Sequence, residues 1–191
     1  GYLGNPASYF GHLLIKLDSE SNKPMSNFLE DITVNYGARV PDDENMVLYV
    51  IKGLVGSYNS LYTEKEFYYH LHHYSDGEFR DLWEYELSLN ADDYSLLAGH
   101  LWEMIGVEHK YFFTNRNCAY RIAELIELVS DNALVSSSNL FVSPQLVMQE
   151  LEEAKNNNKK WKSTNTQPTP ARLKRFKLHL INMVWPSYQM Y

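Results

Sequence analysis

The chain reads as an α+β domain, an antiparallel sheet with packed helices. Three observations carry this. Apolar runs of strand length stand at His12 to Leu17 and around 30–36, and Arg80 to Leu89 alternates with period two. Apolar residues recur at helical spacing over 91–105 and again from Cys118 to Val129. A length of 191 residues, 45% apolar and 21% charged, is enough for one domain with a sizeable core.

The elements follow in order. Residues 1–11 are a lead-in punctuated by glycine and proline, and His12 to Leu17 is the first strand. Asp18 to Pro24 is a turn-rich loop. Ile32, Thr33 and Val34 mark a second strand over 30–36, closed by Gly37. Met46 to Leu54 is too short a run to divide helix from strand, and Gly53 with Gly56 signals a tight turn after it. In Arg80 to Leu89, Trp83, Tyr85, Leu87 and Leu89 alternate with Leu82, Glu84, Glu86 and Ser88. Asn90, followed by Asp92 and Asp93, starts a helix that Leu96, Leu97, Leu101, Met104 and Ile105 continue. Lys110 to Thr114 is a short strand or bend. Ile122, Leu125, Ile126 and Val129 continue a helix opened by Cys118. Ser143-Pro144 reads as the cap and first position of a helix over 144–155.

The composition then changes. Residues 156–170 are polar and end in Pro-Thr-Pro, the signature of a linker or mobile loop. Residues 171–191 read as a basic amphipathic helix and tail, with Leu173, Phe176, Leu180, Ile181 and Val184 on one face. Such a helix packs on its own domain or lies on an anionic membrane surface. The expected division is thus 1–155 as the chemical domain, 156–170 as linker and 171–191 as tail.

A net charge of −7 argues against a general nucleic-acid role. No run reaches the ~18 apolar residues of a membrane span. The chain opens on Gly-Tyr-Leu-Gly rather than Met, so it reads as a fragment or processed form, and missing targeting signals carry no information.

The single cysteine, Cys118, opens a predicted helix. There, backbone N–H groups and the helix dipole favour a thiolate; the structural alternative is an inert buried thiol. A thiol nucleophile needs a base, and the base an orienting group. His12 starts the first strand and Asn35 lies near the end of the second. Cys, His and Asn are the residue types of the papain-like triad. The order here, His, then a polar residue, then Cys, is that of circularly permuted papain-like folds. His70, His72 and His73 compete for the base, and His70 with His72 share a strand face of metal-binding spacing, but no third ligand accompanies them. No metal or other cofactor is expected.

Six strings stand together in the chain: Asn5-Pro-Ala-Ser-Tyr-Phe-Gly-His12, Val34-Asn-Tyr-Gly-Ala38, Lys52-Gly-Leu-Val-Gly56 with Tyr58, Arg80-Asp-Leu-Trp-Glu-Tyr-Glu-Leu87, His100-Leu-Trp-Glu103 and Phe112-Phe-Thr-Asn-Arg-Asn-Cys118. Over about residues 1–150 the chain resembles the Lnb-type N-terminal periplasmic domain family of the bacterial envelope. The resemblance implies a permuted papain-like (NlpC-like) thiol enzyme in the periplasm or on the outer face of the bacterial membrane. The family's namesake is a lipoprotein N-acyltransferase. Carried over, His12 is the base and Cys118 the nucleophile, with Asn35 as orienter. The implied partners are an acyl lipid or lipoprotein substrate and a membrane surface.

In this reading Cys118 attacks an ester or amide carbonyl, and backbone N–H groups at the helix start stabilise the oxyanion, at ~3 kcal/mol per donor. Tyr36, Tyr58, Trp83 and Tyr85 are candidates to line an aromatic groove that excludes water. Lys52, Arg80 and Glu84 are candidates to bind substrate. For each of these, core packing or a structural ion pair is the alternative. Two other activities remain open: a thiol amidase or peptidase cleaving cell-wall peptides, and a non-enzymatic envelope binding module. An apolar tunnel at Cys118 favours acyl transfer, an open polar groove favours peptide cleavage, and a His12 beyond hydrogen-bond reach of Cys118 favours the binding module.

Overall fold

A computed structural model describes residues 11–18, 31–41, 43–67, 81–130, 132–157 and 176–184. Among these lie six strands and four helices. The strands are β1 (His12–Asp18), β2 (Ile32–Ala38), β3 (Tyr58–Glu66), β4 (Asp81–Leu89), β5 (His109–Tyr111) and β6 (Phe176–Val184). The helices are α1 (Met46–Leu54), α2 (Ala91–Met104), α3 (Cys118–Glu127) and α4 (Pro144–Asn157). The strands form one sheet in the order β4-β6-β1-β2-β3-β5, and every neighbouring pair is antiparallel. The α+β class and the antiparallel sheet with packed helices are as expected.

The helix ends follow their caps. Asn45 accepts the Val47 N–H at 2.9 Å and starts α1; Asn90 accepts the Asp93 N–H at 2.8 Å and starts α2. Pro144 is the first residue of α4, where its missing N–H costs nothing. The undecided run 46–54 is helical, and Gly53 belongs to that helix rather than to a turn.

The core lies between α3 and the middle of the sheet. Ala119, Ile122, Ala123 and Ile126 form one fully buried stripe on α3. They share a core with Leu13 and Ile15 of β1 and Val34 and Tyr36 of β2. Burial of Ile122 and Ile126 contributes roughly 1.5–3 kcal/mol each. α4 packs on the outside of α3. Farther along β1, buried Lys16 pairs with Asp31 at 3.7 Å and lies 5.1 Å from the Phe67 ring centre, so its charge is compensated.

The C-terminal part differs from expectation. Residues 176–184 form a strand, not part of a basic amphipathic helix, and that strand lies inside the sheet. β6 pairs with β1 from His12↔Met183 to Asp18↔Lys177, and with β4 from Asp81↔Val184 to Leu89↔Phe176. Phe176, Leu178 and Leu180 alternate with Lys177 and His179, a period-two pattern that coexists with the helical one. Two long antiparallel ladders decide between them. The 1–155 segment therefore lacks one strand of its own sheet. Asn156 and Asn157 close α4; the rest of the expected linker, and residues 171–175 and 185–191, lie outside the described residues.

Candidate thiol active site

Cys118 is the first residue of α3, and its neighbour Asn117 fixes it there. Asn117 caps the helix, accepting the Tyr120 N–H at 3.2 Å. Its amide nitrogen donates to the Phe113 carbonyl at 3.1 Å and to the Val142 carbonyl at 2.7 Å. One buried side chain thereby ties the helix start to the loops on both sides. At the first helical position the Cys118 N–H has no partner within the helix. Tyr111 lines the same cavity as Cys118, and burial, with the neighbouring thiol, raises its hydroxyl well above the ordinary pKa.

The thiol is buried and unpaired with any other cysteine. Burial pushes its pKa up. The nearby His12 imidazole opposes this by its charge and by a hydrogen bond to the sulfur, and the backbone N–H groups of Leu13 and Ala119 add to it. The opposing contributions win, and the thiol sits below its ordinary pKa. The Ala119 donor is the helix N-terminus acting on the sulfur; the Leu13 donor comes from the strand that carries His12.

His12 is in turn held by Asn35. The register sets Leu14 opposite Asn35, so His12, two residues before Leu14, shares a sheet face with that amide. His12 Nε2 lies 2.5 Å from Asn35 Oδ1. A carbonyl oxygen only accepts, so in this pair Nε2 carries the proton. Gly11, just before His12, has φ +92°, a conformation that side-chain-bearing residues rarely adopt.

A cavity of about 20 Å³, room for about one water molecule, opens beside the sulfur. Gly11, Tyr111, Asn117 and Cys118 line it together with the apolar Phe113, Phe141, Val142 and Pro144. The Val142 N–H donates to the Thr114 carbonyl at 2.7 Å, which joins the two loops that carry Phe113 and Phe141.

The structure brings together Cys118, His12 and Asn35 and distributes the other candidates elsewhere. Tyr36 is fully buried; its hydroxyl bonds Ser60 Oγ at 2.5 Å, and its ring stacks 5.9 Å from Tyr111, one layer behind the cavity. Lys52 pairs with Glu44 at 2.7 Å, and Tyr58 donates to the same carboxylate at 3.2 Å. This Glu44 cluster ties α1 to β3, and the Tyr58 ring lies 6.4 Å from Phe113. Tyr85 is half-buried against the core. Trp83 and Glu84 lie on β4, where the backbone alone is described; Arg80, His70, His72 and His73 lie outside the described residues. His100 is on α2.

Tyr111 and Asn117 are site residues that the sequence reading does not single out. Asn117 had a signal, a capping residue directly before the helix. Tyr111 had none, because it meets the thiol only through the turn formed by residues 112–117.

Among the described residues no helix is long and apolar enough to cross a membrane. No curated protein and no solved structure matches the chain. Residues 1–154, which include His12, Asn35, Tyr111 and Cys118, match the family described as the Lnb N-terminal periplasmic domain. That span is most of the chain, so this periplasmic envelope domain belongs to the Lnb N-terminal periplasmic domain family.

Proposed function

We propose that this domain is a cysteine-dependent acyltransferase of the cell envelope, with a circularly permuted papain-like arrangement of its catalytic groups. The carrying observation is the chain of contacts from Asn35 through His12 to a buried thiol of lowered pKa. The roles follow from the chemistry: Asn35 fixes the ring and its tautomer, His12 moves protons, and Cys118 attacks. A histidine within reach of the cysteine speaks against a purely binding role. Phe113, Phe141, Val142 and Pro144 give the cavity at Cys118 an apolar surface on which an acyl chain could lie.

The reaction is written in two halves. His12 holds the thiol proton, and the thiolate sulfur bonds to the carbonyl carbon of a lipid ester. The carbonyl electron pair moves onto oxygen. Tyr111, whose hydroxyl lies at the thiol, donates to that oxyanion. Collapse expels the glyceryl oxygen, which takes the proton from His12, and leaves the acyl chain as a thioester on Cys118. An α-amine then attacks the thioester, gives its proton to His12 and releases the thiolate as the amide forms. Exclusion of water by the apolar wall favours the amine over hydrolysis.

The test is intact-mass analysis after incubation with a diacylated lipopeptide, comparing the parent with Cys118→Ala and His12→Ala. The expected result is an added acyl mass on the parent alone and an acyl-amide product. Free fatty acid without amide would make it a hydrolase. Neither adduct nor product, followed by cleavage of peptidoglycan fragments, would make it a cell-wall peptidase.

A further inference from the structure

Helix α1 is apolar over almost its whole length, and it is exposed. Met46, Val47, Leu48, Val50, Ile51 and Leu54, with Val55 at its end, are each 37–66% exposed. At about 100° per residue these positions cover an arc of roughly 200°. Tyr49 and Gly53, the two buried residues, lie in the remaining arc and attach the helix to the domain. The only charge on the helix is Lys52, at the border between the two arcs and paired with Glu44.

We infer that α1 is a membrane-docking element whose apolar face enters the acyl region of a phospholipid bilayer. The breadth of the arc argues for this occupant. A protein groove covers one stripe of a helix, whereas a helix apolar on every side but its attachment fits a surrounding apolar phase. Lys52 is placed to lay its stem along apolar surface and its ammonium at headgroup level. The helix is also attached directly to the thiol site. The Phe113 N–H donates to the Gly53 carbonyl at 3.0 Å, and the Tyr49 ring is 4.9 Å from Phe113. Phe113 and Phe141 both line the Cys118 cavity, and Phe141 and its neighbour Leu140 are themselves exposed. The buried arc of α1 thus rests on a residue of the thiol cavity, which fixes the exposed arc relative to the site. The link to the site rests on the acyl-transfer reading above: docking would hold the Cys118 cavity close to the bilayer surface, where ester carbonyls of lipids lie.

With a net charge of −7, attraction to anionic headgroups is not the driving force. Docking by apolar insertion works on zwitterionic bilayers and resists salt. The experiment is flotation of the chain with phosphatidylcholine vesicles, at low and high salt, against a Val47→Glu, Ile51→Lys double variant. The pair keeps the net charge and adds a favourable i,i+4 contact on the helix. The parent is expected to float at both salt concentrations, and the variant to partition at least about tenfold less. An unchanged alkylation rate at Cys118 shows that the variant is folded. A parent that stays off the vesicles, a variant that floats as well as the parent, or a parent that dimerises through this face without lipid would overturn the inference. Flotation without any acyl product from the lipopeptide would count against the acyltransferase reading and leave docking standing.

Discussion

The Asn35 side-chain oxygen lies 2.5 Å from His12 Nε2, across two strands whose register sets Leu14 opposite Asn35. With Oδ1 as acceptor, Nε2 carries the proton and the imidazole is held in one orientation. The contributions of the three residues to acyl transfer should accordingly be unequal. Cys118→Ala and His12→Ala should each lower the rate at least about a thousandfold, since each removes a partner that the others depend on. Asn35→Ala should cost less, because it loosens the ring without removing the proton carrier. Initial rates on the lipopeptide check the order, and an Asn35→Ala loss equal to that of His12→Ala would show that Asn35 does more than orient.

The lowered thiol pKa fixes the sign of a pH effect. The thiolate is the reactive form, so alkylation of Cys118 by iodoacetamide should remain fast as pH falls through the ordinary thiol value of about 8.5, and decline only below it. In His12→Ala burial is no longer outweighed, and the midpoint should move up. Rate–pH profiles of the two proteins test this; coincident profiles would remove His12 from the account of the thiol.

Tyr111→Phe removes the buried hydroxyl beside Cys118. Loss of one buried polar contact should lower stability by roughly 0.5–1.5 kcal/mol. The turnover number should fall with little change in KM, because the hydroxyl acts on charge that develops during attack. Alkylation should stay fast, since His12 remains. An unchanged turnover number would make Tyr111 a structural support alone.

Gly53 and Gly99 are both helical glycines, and Ala should affect them in opposite directions. At Gly53 a Cβ would run into the Phe113 ring, and displacement of that ring should cost roughly 1–3 kcal/mol and disturb the cavity wall. At Gly99 a Cβ meets nothing within 4 Å, so Ala should stabilise by about 0.5–1 kcal/mol. Denaturant midpoints of the two variants decide it.

The legible parts of the fold were those with one dominant period. β1, β4, α2 and α3 each show a single periodicity and lie within a few residues of expectation. Cys118, His12 and Asn35 were legible because each sits at the start or end of an element, where side chains from different strands and helices converge. β6 was not legible, since Phe176, Leu178 and Leu180 support a strand while Leu173, Phe176, Leu180 and Val184 support a helix, and its partners are remote in sequence. Tyr36 was legible as an aromatic strand residue, but its burial depends on Tyr62 and Tyr111 from other strands. The exposure of α1 was invisible for a related reason: an apolar run states what its residues prefer and not what surrounds them.

The place of β6 bears on how the protein acquires its reactivity. His12 pairs with Met183, whereas the ladder to β2 begins only at Leu14. The end of β1 that carries His12 is thus held in register by the strand that comes last among the described elements. Pairings between distant parts of a chain form late. Until β6 has docked, the cysteine is expected to react as an ordinary thiol. During refolding, a late rise in the alkylation rate of Cys118 would mark the docking of the final strand.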